Sequence, residues 1–197
     1  AYNDTLIGDS GANTLTGGGG SDILEGMGGS DTLIGGSGGN NTASYEHAGT
    51  GVTASLANPA LNSGDAAGDT YINIQNLTGT AYNDTLTGNN VANAFTGGAG
   101  TDLVSYANAT AGVIASLTGG LVVESGDAAG DTFSGIENLT GSAQNDTLIG
   151  NGDSNILTGG GGSDILEGMG GGDTLIGGRG GNNTASYEHA TALVVAS

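Results

Sequence analysis

GGGGSDILE (17–25) runs directly into GMGGSDTLI (26–34), and GDSGANTLT (8–16) precedes them in the same frame. Every ninth residue is Asp or Asn, and two residues later a Leu stands in the middle of a three-residue, strand-like triplet. The frame returns as GNGDSNILT (150–158), GGGGSDILE (159–167) and GMGGGDTLI (168–176). Glycine at the first, second and fourth positions allows left-handed backbone and close approach, so six residues can make a tight turn with carbonyls aimed inward. The remaining triplet reads as a short strand whose middle residue faces one way and whose neighbours face the other. Two turns and two triplets then close one coil of 18 residues. Stacked coils put Leu6, Leu15, Leu24, Leu33, Leu148, Leu157, Leu166 and Leu175 into ladders along an interior one side chain deep. The expected fold class is all-β, a right-handed parallel β-roll or β-helix solenoid with essentially no helix.

This architecture answers a difficulty in the composition. Of 197 residues 43 are Gly, while Leu, Ile, Val and Phe together supply only 38. So little apolar area is usually too little to offset chain entropy, but a one-residue-deep interior needs little. The net charge is −19 and the one basic residue is Arg179. Without a Lys/Arg patch to neutralise phosphates, nucleic acid is excluded as a partner, and so is an anionic membrane surface. No apolar run approaches the length of a membrane span, so no membrane insertion is expected. With no Cys there are no disulfides, and the carboxylates point to another staple. Hard divalent cations prefer oxygen, and Ca²⁺ takes six to eight such ligands.

Longer repeats overlie the short one. Residues 1–48 recur at 143–190 with eight differences, and a shorter copy starts at AYNDTL (81–86). The chain is expected to form one continuous β-solenoid over 1–197, in modules 1–80, 81–142 and 143–197, the last truncated. Both ends fall inside the pattern, as in a window cut from a longer array.

The 18-residue coil fixes where a cation can sit. Asp4 and Asp22, Asp84 and Asp102, and Asp146 and Asp164 are one coil apart, as are Asn13 and Asp31, and Asn155 and Asp173. An ion between two such turns can take an oxygen from each side chain and the rest from turn carbonyls. The nonapeptide G-G-x-G-x-D-x-U-x resembles the RTX family of secreted bacterial proteins, the hemolysin-type calcium-binding repeats. In that family the Asp at the sixth position and the glycine-turn carbonyls hold calcium. The resemblance therefore implies several Ca²⁺ ions, with Asp4, Asp22, Asp31, Asp84, Asp102, Asp131, Asp146, Asp164, Asp173, Asn13, Asn41, Asn155 and Asn183 as ligand positions. An amide oxygen brings no charge, so the turns of Asn13, Asn41, Asn155 and Asn183 are expected to be weaker or empty. One extra residue in GGSGGNNTAS (35–44) places Asn41 19 after Asp22.

Between these tracts lie ASYEHAGTGVTASL (43–56) and VSYANATAGVIASL (104–117), each leading to SGDAAGDT, at 63–70 and 125–132. The alternation in VTASL and VIASL predicts strands. GDAAGDTFS (126–134) fits the nonapeptide loosely, with Asp131 at the ligand place and Phe133 facing inward. NIQNLTG and GIENLTG read as half-coils too short for an ion loop. Tyr45, Tyr106 and Tyr187 recur at one module position and are expected at the solenoid edge. His47 and His189 stand beside Glu46 and Glu188, a pairing that reads as an ordinary surface feature. No H-E-x-x-H, G-x-S-x-G or Walker motif is present, so the segment is not expected to be an enzyme.

The resemblance implies an extracellular, calcium-binding structural or extender segment of adhesin, matrix, fibre or surface-layer type, exported by type I secretion. It would partner calcium ions and copies of itself. One alternative is the secretion domain of an RTX enzyme whose catalytic part lies elsewhere. Another is an ice-binding β-solenoid, although the outward ladder Thr5, Thr14, Ile23, Thr32 is broken.

Overall fold

The computed structural model describes residues 2–191; residues 192–197, the expected end of the third module, lie outside the described residues. Nearly every predicted triplet is a strand. The first module contains β1 (Thr5–Ile7), β2 (Thr14–Thr16), β3 (Ile23–Glu25), β4 (Thr32–Ile34), β5 (Thr42–Ser44), β6 (Thr53–Ser55), β7 (Thr70–Ile72) and β8 (Asn76–Thr78). The second contains β9 (Thr85–Thr87), β10 (Ala94–Thr96), β11 (Leu103–Ser105), β12 (Ile114–Ser116), β13 (Thr132–Ser134) and β14 (Asn138–Thr140). The third contains β15 (Thr147–Ile149), β16 (Ile156–Thr158), β17 (Ile165–Glu167), β18 (Thr174–Ile176) and β19 (Thr184–Ala185). The helical content of the described residues is three short 3-10 turns, Pro59–Leu61, Gly64–Ala66 and Gly126–Ala128.

The described chain falls into two compact units, the first reaching Leu103 and adding Asp131–Ile136, the second taking Val104–Gly130 and the residues from Glu137 on. In the first unit, parallel strands stack in the order β1-β3-β5-β8-β10-β13 and in the order β2-β4-β7, and β6 pairs with β9. In the second, β12-β15-β17-β19 form one parallel sheet and β14-β16-β18 stack likewise. Each unit is thus a parallel β-roll.

Registers follow the 18-residue coil. Leu6 lies on Leu24, Leu15 on Leu33, Leu148 on Leu166 and Leu157 on Leu175. The first ladder continues through Ala43, Leu77 and Phe95 to Phe133, whose ring stacks on Phe95 with centroids 5.9 Å apart. Leu24, Leu33, Leu77, Leu86, Leu139, Leu148 and Leu157 are completely buried, each stabilising the folded chain by about 1.5–3 kcal/mol. The glycines set the coil spacing. Gly36 has φ 91°, and a Cβ there would run into the Gly18 carbonyl one coil below.

Tyr45 departs from the expected edge position. It is 1% exposed, inside the first unit, with its hydroxyl bonded to Asp69 and Tyr71, where the chain returns from the excursion through Pro59. Tyr187 is half exposed.

Candidate metal centre

One hydrogen bond recurs at the ligand position of nearly every turn. The Asp4 N–H donates to Asp22 Oδ1 (2.9 Å), and the Asp22 N–H donates to Asn41 Oδ1 (2.9 Å). Asn13 donates in the same way to Asp31 (2.7 Å), and Asp31 to Asp69 (2.8 Å). Asp84 donates to Asp102 (2.8 Å) and Asn93 to Asp131 (2.8 Å). In the second unit Asp146 donates to Asp164 (3.0 Å), Asp164 to Asn183 (2.9 Å) and Asn155 to Asp173 (3.0 Å). All thirteen residues singled out by the nonapeptide frame sit on these rungs. The coil places one such side chain per turn directly over the next.

Using Oδ1 on a rung leaves one side-chain atom, and its surroundings divide the turns into kinds. In turns that read G-x-x-G-x-D, Oδ2 of Asp22, Asp31 and Asp164 is buried with no hydrogen-bond partner. Each such oxygen lies against the glycine five residues earlier. A Cβ on Gly17, Gly26 or Gly159 would collide with it. At Asp164 the Gly177 carbonyl converges on the same place, 2.7 Å from where a Gly159 Cβ would stand. A buried anionic oxygen without a donor, beside a carbonyl, is a cradle for a cation. Burial raises the pKa of Asp31, against the lowering effect of the Asn13 N–H.

Asp84 and Asp146 belong to a second kind. The Thr80 N–H donates to Asp84 Oδ2 (2.6 Å) and its hydroxyl to Oδ1 (3.1 Å). Ser142 does the same for Asp146 (2.7 and 2.9 Å). Burial raises the Asp146 pKa, with the Val113 and Ser142 donors opposing and the Asp164 charge adding.

In a third kind an amide stands at the ligand position. Asn93 Oδ1 accepts from the Asn89 N–H (2.9 Å) and its Nδ2 donates to the Gln75 carbonyl (2.7 Å). Asn155 Oδ1 accepts from Asn151 (2.8 Å) and its Nδ2 donates to the Glu137 carbonyl (2.7 Å). Asn41 Nδ2 donates to the Asn73 carbonyl (3.1 Å). Asn13 Oδ1 accepts from the Asp9 N–H (2.8 Å).

Asp69, Asn93 and Gln75 were not among the sequence candidates. Asp69 Oδ1 is on a rung, but its Oδ2 accepts from the Tyr45 hydroxyl (2.9 Å), which also bonds the Tyr71 hydroxyl (2.6 Å). Burial is the main cause that pushes the Asp69 pKa up to about 6. A signal was available, since SGDAAGDT at 63–70 repeats the segment that nominated Asp131. The histidines pair with distant carboxylates. His47 Nδ1 meets Glu25 Oε2 at 2.8 Å while its N–H donates to Oε1 (2.9 Å). His189 repeats this on Glu167 at 3.0 and 2.8 Å. These clasps hold the SYEHA segments beside β3 and β17.

Among the described residues, no three Asp, Glu or His side chains cluster as a metal site. The sequence model of one family, the RTX calcium-binding nonapeptide repeat, matches this chain four times, at residues 1–33, 74–105, 131–166 and 149–183. Asn41 and Asp69 lie outside the matched segments. No curated protein matches the chain.

Proposed function

The chain belongs to the RTX calcium-binding nonapeptide repeat family, and from that premise we propose that it is a non-catalytic, calcium-ordered extender segment of a secreted protein. The observation that carries this reading is the buried, unpartnered Oδ2 of Asp22, Asp31 and Asp164 beside the glycine turns. These residues, with Asp102 and Asp173 in turns of the same G-x-x-G-x-D pattern, would hold the ions together with turn carbonyls. Calcium, when bound, supplies positive charge between oxygens that otherwise repel, and its need for six to eight ligands ties one turn to the next.

The chain's own residues account for the rest. The leucine ladders fill the interior, the rungs fix the spacing between coils, and the glycines let carbonyls approach. The long, near-identical repeats at 1–48 and 143–190 support a role in which length is the product, because stacked repeats extend by nearest-neighbour contacts. RTX repeats are typical of secreted proteins, and among the described residues no helix is long and apolar enough to cross a membrane. An extracellular location at millimolar calcium follows from this reading.

Calorimetric titration of Asp22→Ala and Asp9→Ala tests the ligand assignment. Asp22 is fully buried on two rungs, whereas Asp9 is exposed at the second position of its turn. The first variant loses calcium and the second retains it. Equal losses refute the register. Pulling a tethered chain tests the extender role: unfolding force rises with calcium, and a force unchanged by EDTA contradicts that role.

A further inference from the structure

The ligand position holds two chemically different groups of nearly identical shape. Where it is Asp22, Asp31 or Asp164, the second side-chain atom is an oxygen and has no donor. Where it is Asn41, that atom is an NH₂ group and donates to the Asn73 carbonyl of the adjoining coil; at Asn93 and Asn155 the amide is turned round, with Oδ1 beside Gly88 or Gly150 and the NH₂ group donating to the Gln75 or Glu137 carbonyl of the adjoining coil. The three amides are as deeply buried as the carboxylates, 1%, 2% and 1% exposed. A carboxylate facing a carbonyl needs positive charge between them. An amide supplies that charge with its own hydrogens, and a nitrogen that points its hydrogens at the carbonyl has no lone pair for a metal.

We propose that Asn41, Asn93 and Asn155 close their turns with their own hydrogen bonds, so that these turns are stapled without calcium and the ions are confined to the carboxylate turns. The placement has a reason in the fold. The half-coil turn before β8 is too short to wrap an ion, and Asn41 and Asn93 reach it from the coils on either side, on Asn73 and Gln75. Asn73 takes a left-handed φ of 53°, rare for a residue with a side chain, and its carbonyl meets the Asn41 amide. In the second unit Asn155 serves the matching half-coil at Glu137. At Asn93 and Asn155 the oxygen beside the glycine is uncharged and already accepts from the Asn89 or Asn151 N–H, whereas the carboxylate oxygens of Asp22, Asp31 and Asp164 in that place accept from no donor. The segments around β8 and β14 are then ordered before the calcium-dependent coils and template them. This rests on the calcium reading above.

Equilibrium dialysis with radioactive calcium, at saturation, compares the wild-type chain with Asn93→Ala, Asn155→Ala and Asn155→Asp. Both Ala variants bind as many ions as wild type. Their calcium midpoint for the β-sheet dichroism signal rises by about threefold, from one lost buried hydrogen bond shared over several coupled ions. Asn155→Asp binds one ion more. Loss of an ion in either Ala variant makes the asparagine a ligand and overturns the proposal, as does an unchanged count in Asn155→Asp. If the Ala variants do not fold, side-chain amide exchange in the wild-type chain decides. Protected Nδ2 hydrogens of Asn93 and Asn155 support the staple, and exchange at the free rate refutes it. A wild-type chain that binds no calcium refutes the functional reading instead, and amide exchange, measured with the chain folded by trimethylamine oxide, still judges the staples.

Discussion

Replacing Asp164 with Asn changes one atom of a fully buried side chain whose Oδ1 holds the Asp146 N–H at 3.0 Å and whose Oδ2 has no donor. The rung survives, because the amide oxygen accepts the same bond. What changes is the charge beside the Gly177 carbonyl, and the effect reverses sign with calcium. At 10 mM CaCl₂ a site of dissociation constant ~10⁻⁴ M contributes RT ln(1 + 100), about 2.7 kcal/mol, and the variant loses most of it. In EDTA the wild-type chain carries an unsatisfied buried carboxylate oxygen that costs about 1–3 kcal/mol, and the variant is relieved of it. The difference between conditions is about 4–6 kcal/mol. Urea unfolding followed by circular dichroism reads the calcium arm. Refolding by trimethylamine oxide, an osmolyte that favours burial, reads the EDTA arm, where the variant needs less osmolyte than wild type. An effect of the same sign in both conditions would refute the reasoning, since it would show that Oδ2 answers to no cation.

Two further outcomes follow from the geometry. Gly159→Ala puts a methyl group where Asp164 Oδ2 and the Gly177 carbonyl meet, whereas Gly152→Ala meets nothing within 4 Å. Calorimetry should therefore show at least about fivefold weaker calcium binding in the first, from overpacking of the order of 1–3 kcal/mol, and no change in the second. The His47 pKa lies above the ordinary 6.5, chiefly through its hydrogen bond and charge attraction to Glu25, with Glu46 adding. A folded-state value raised in this way means the clasp contributes fully below the unfolded pKa and is lost as pH rises through the folded one. An NMR titration should place the His47 midpoint above that of a free imidazole, and Glu25→Gln should return it. A wild-type midpoint at or below the free value contradicts the clasp.

The fold was legible because its two periods, nine and eighteen, are written without interruption in the tracts that carry the leucines. Registers such as Leu148 on Leu166 follow from spacing alone. Spacing failed where the chain leaves the coil. Asp69 lies 38 residues from Asp31 across the excursion through Pro59, so no period links them, and only its likeness to Asp131 could have nominated it. In sequence His47 stands beside Glu46, yet the coil carries it to Glu25, 22 residues upstream. The role of the asparagines was half legible. A missing charge is visible in sequence, but the carbonyl that receives the amide hydrogens is set by the short turn before β8, and only packing shows it.

Far-ultraviolet circular dichroism of the whole chain, first in EDTA and then in millimolar CaCl₂, tests most directly whether calcium orders the turns. With −19 charges and few apolar residues, the metal-free chain should be largely disordered, and ions that bind only the folded form should draw it into β-structure by mass action. The predicted result is a cooperative gain of the β signal at calcium concentrations of about 10⁻⁴–10⁻³ M. A β-rich spectrum that persists unchanged in EDTA, at low ionic strength and without other divalent ions, contradicts it.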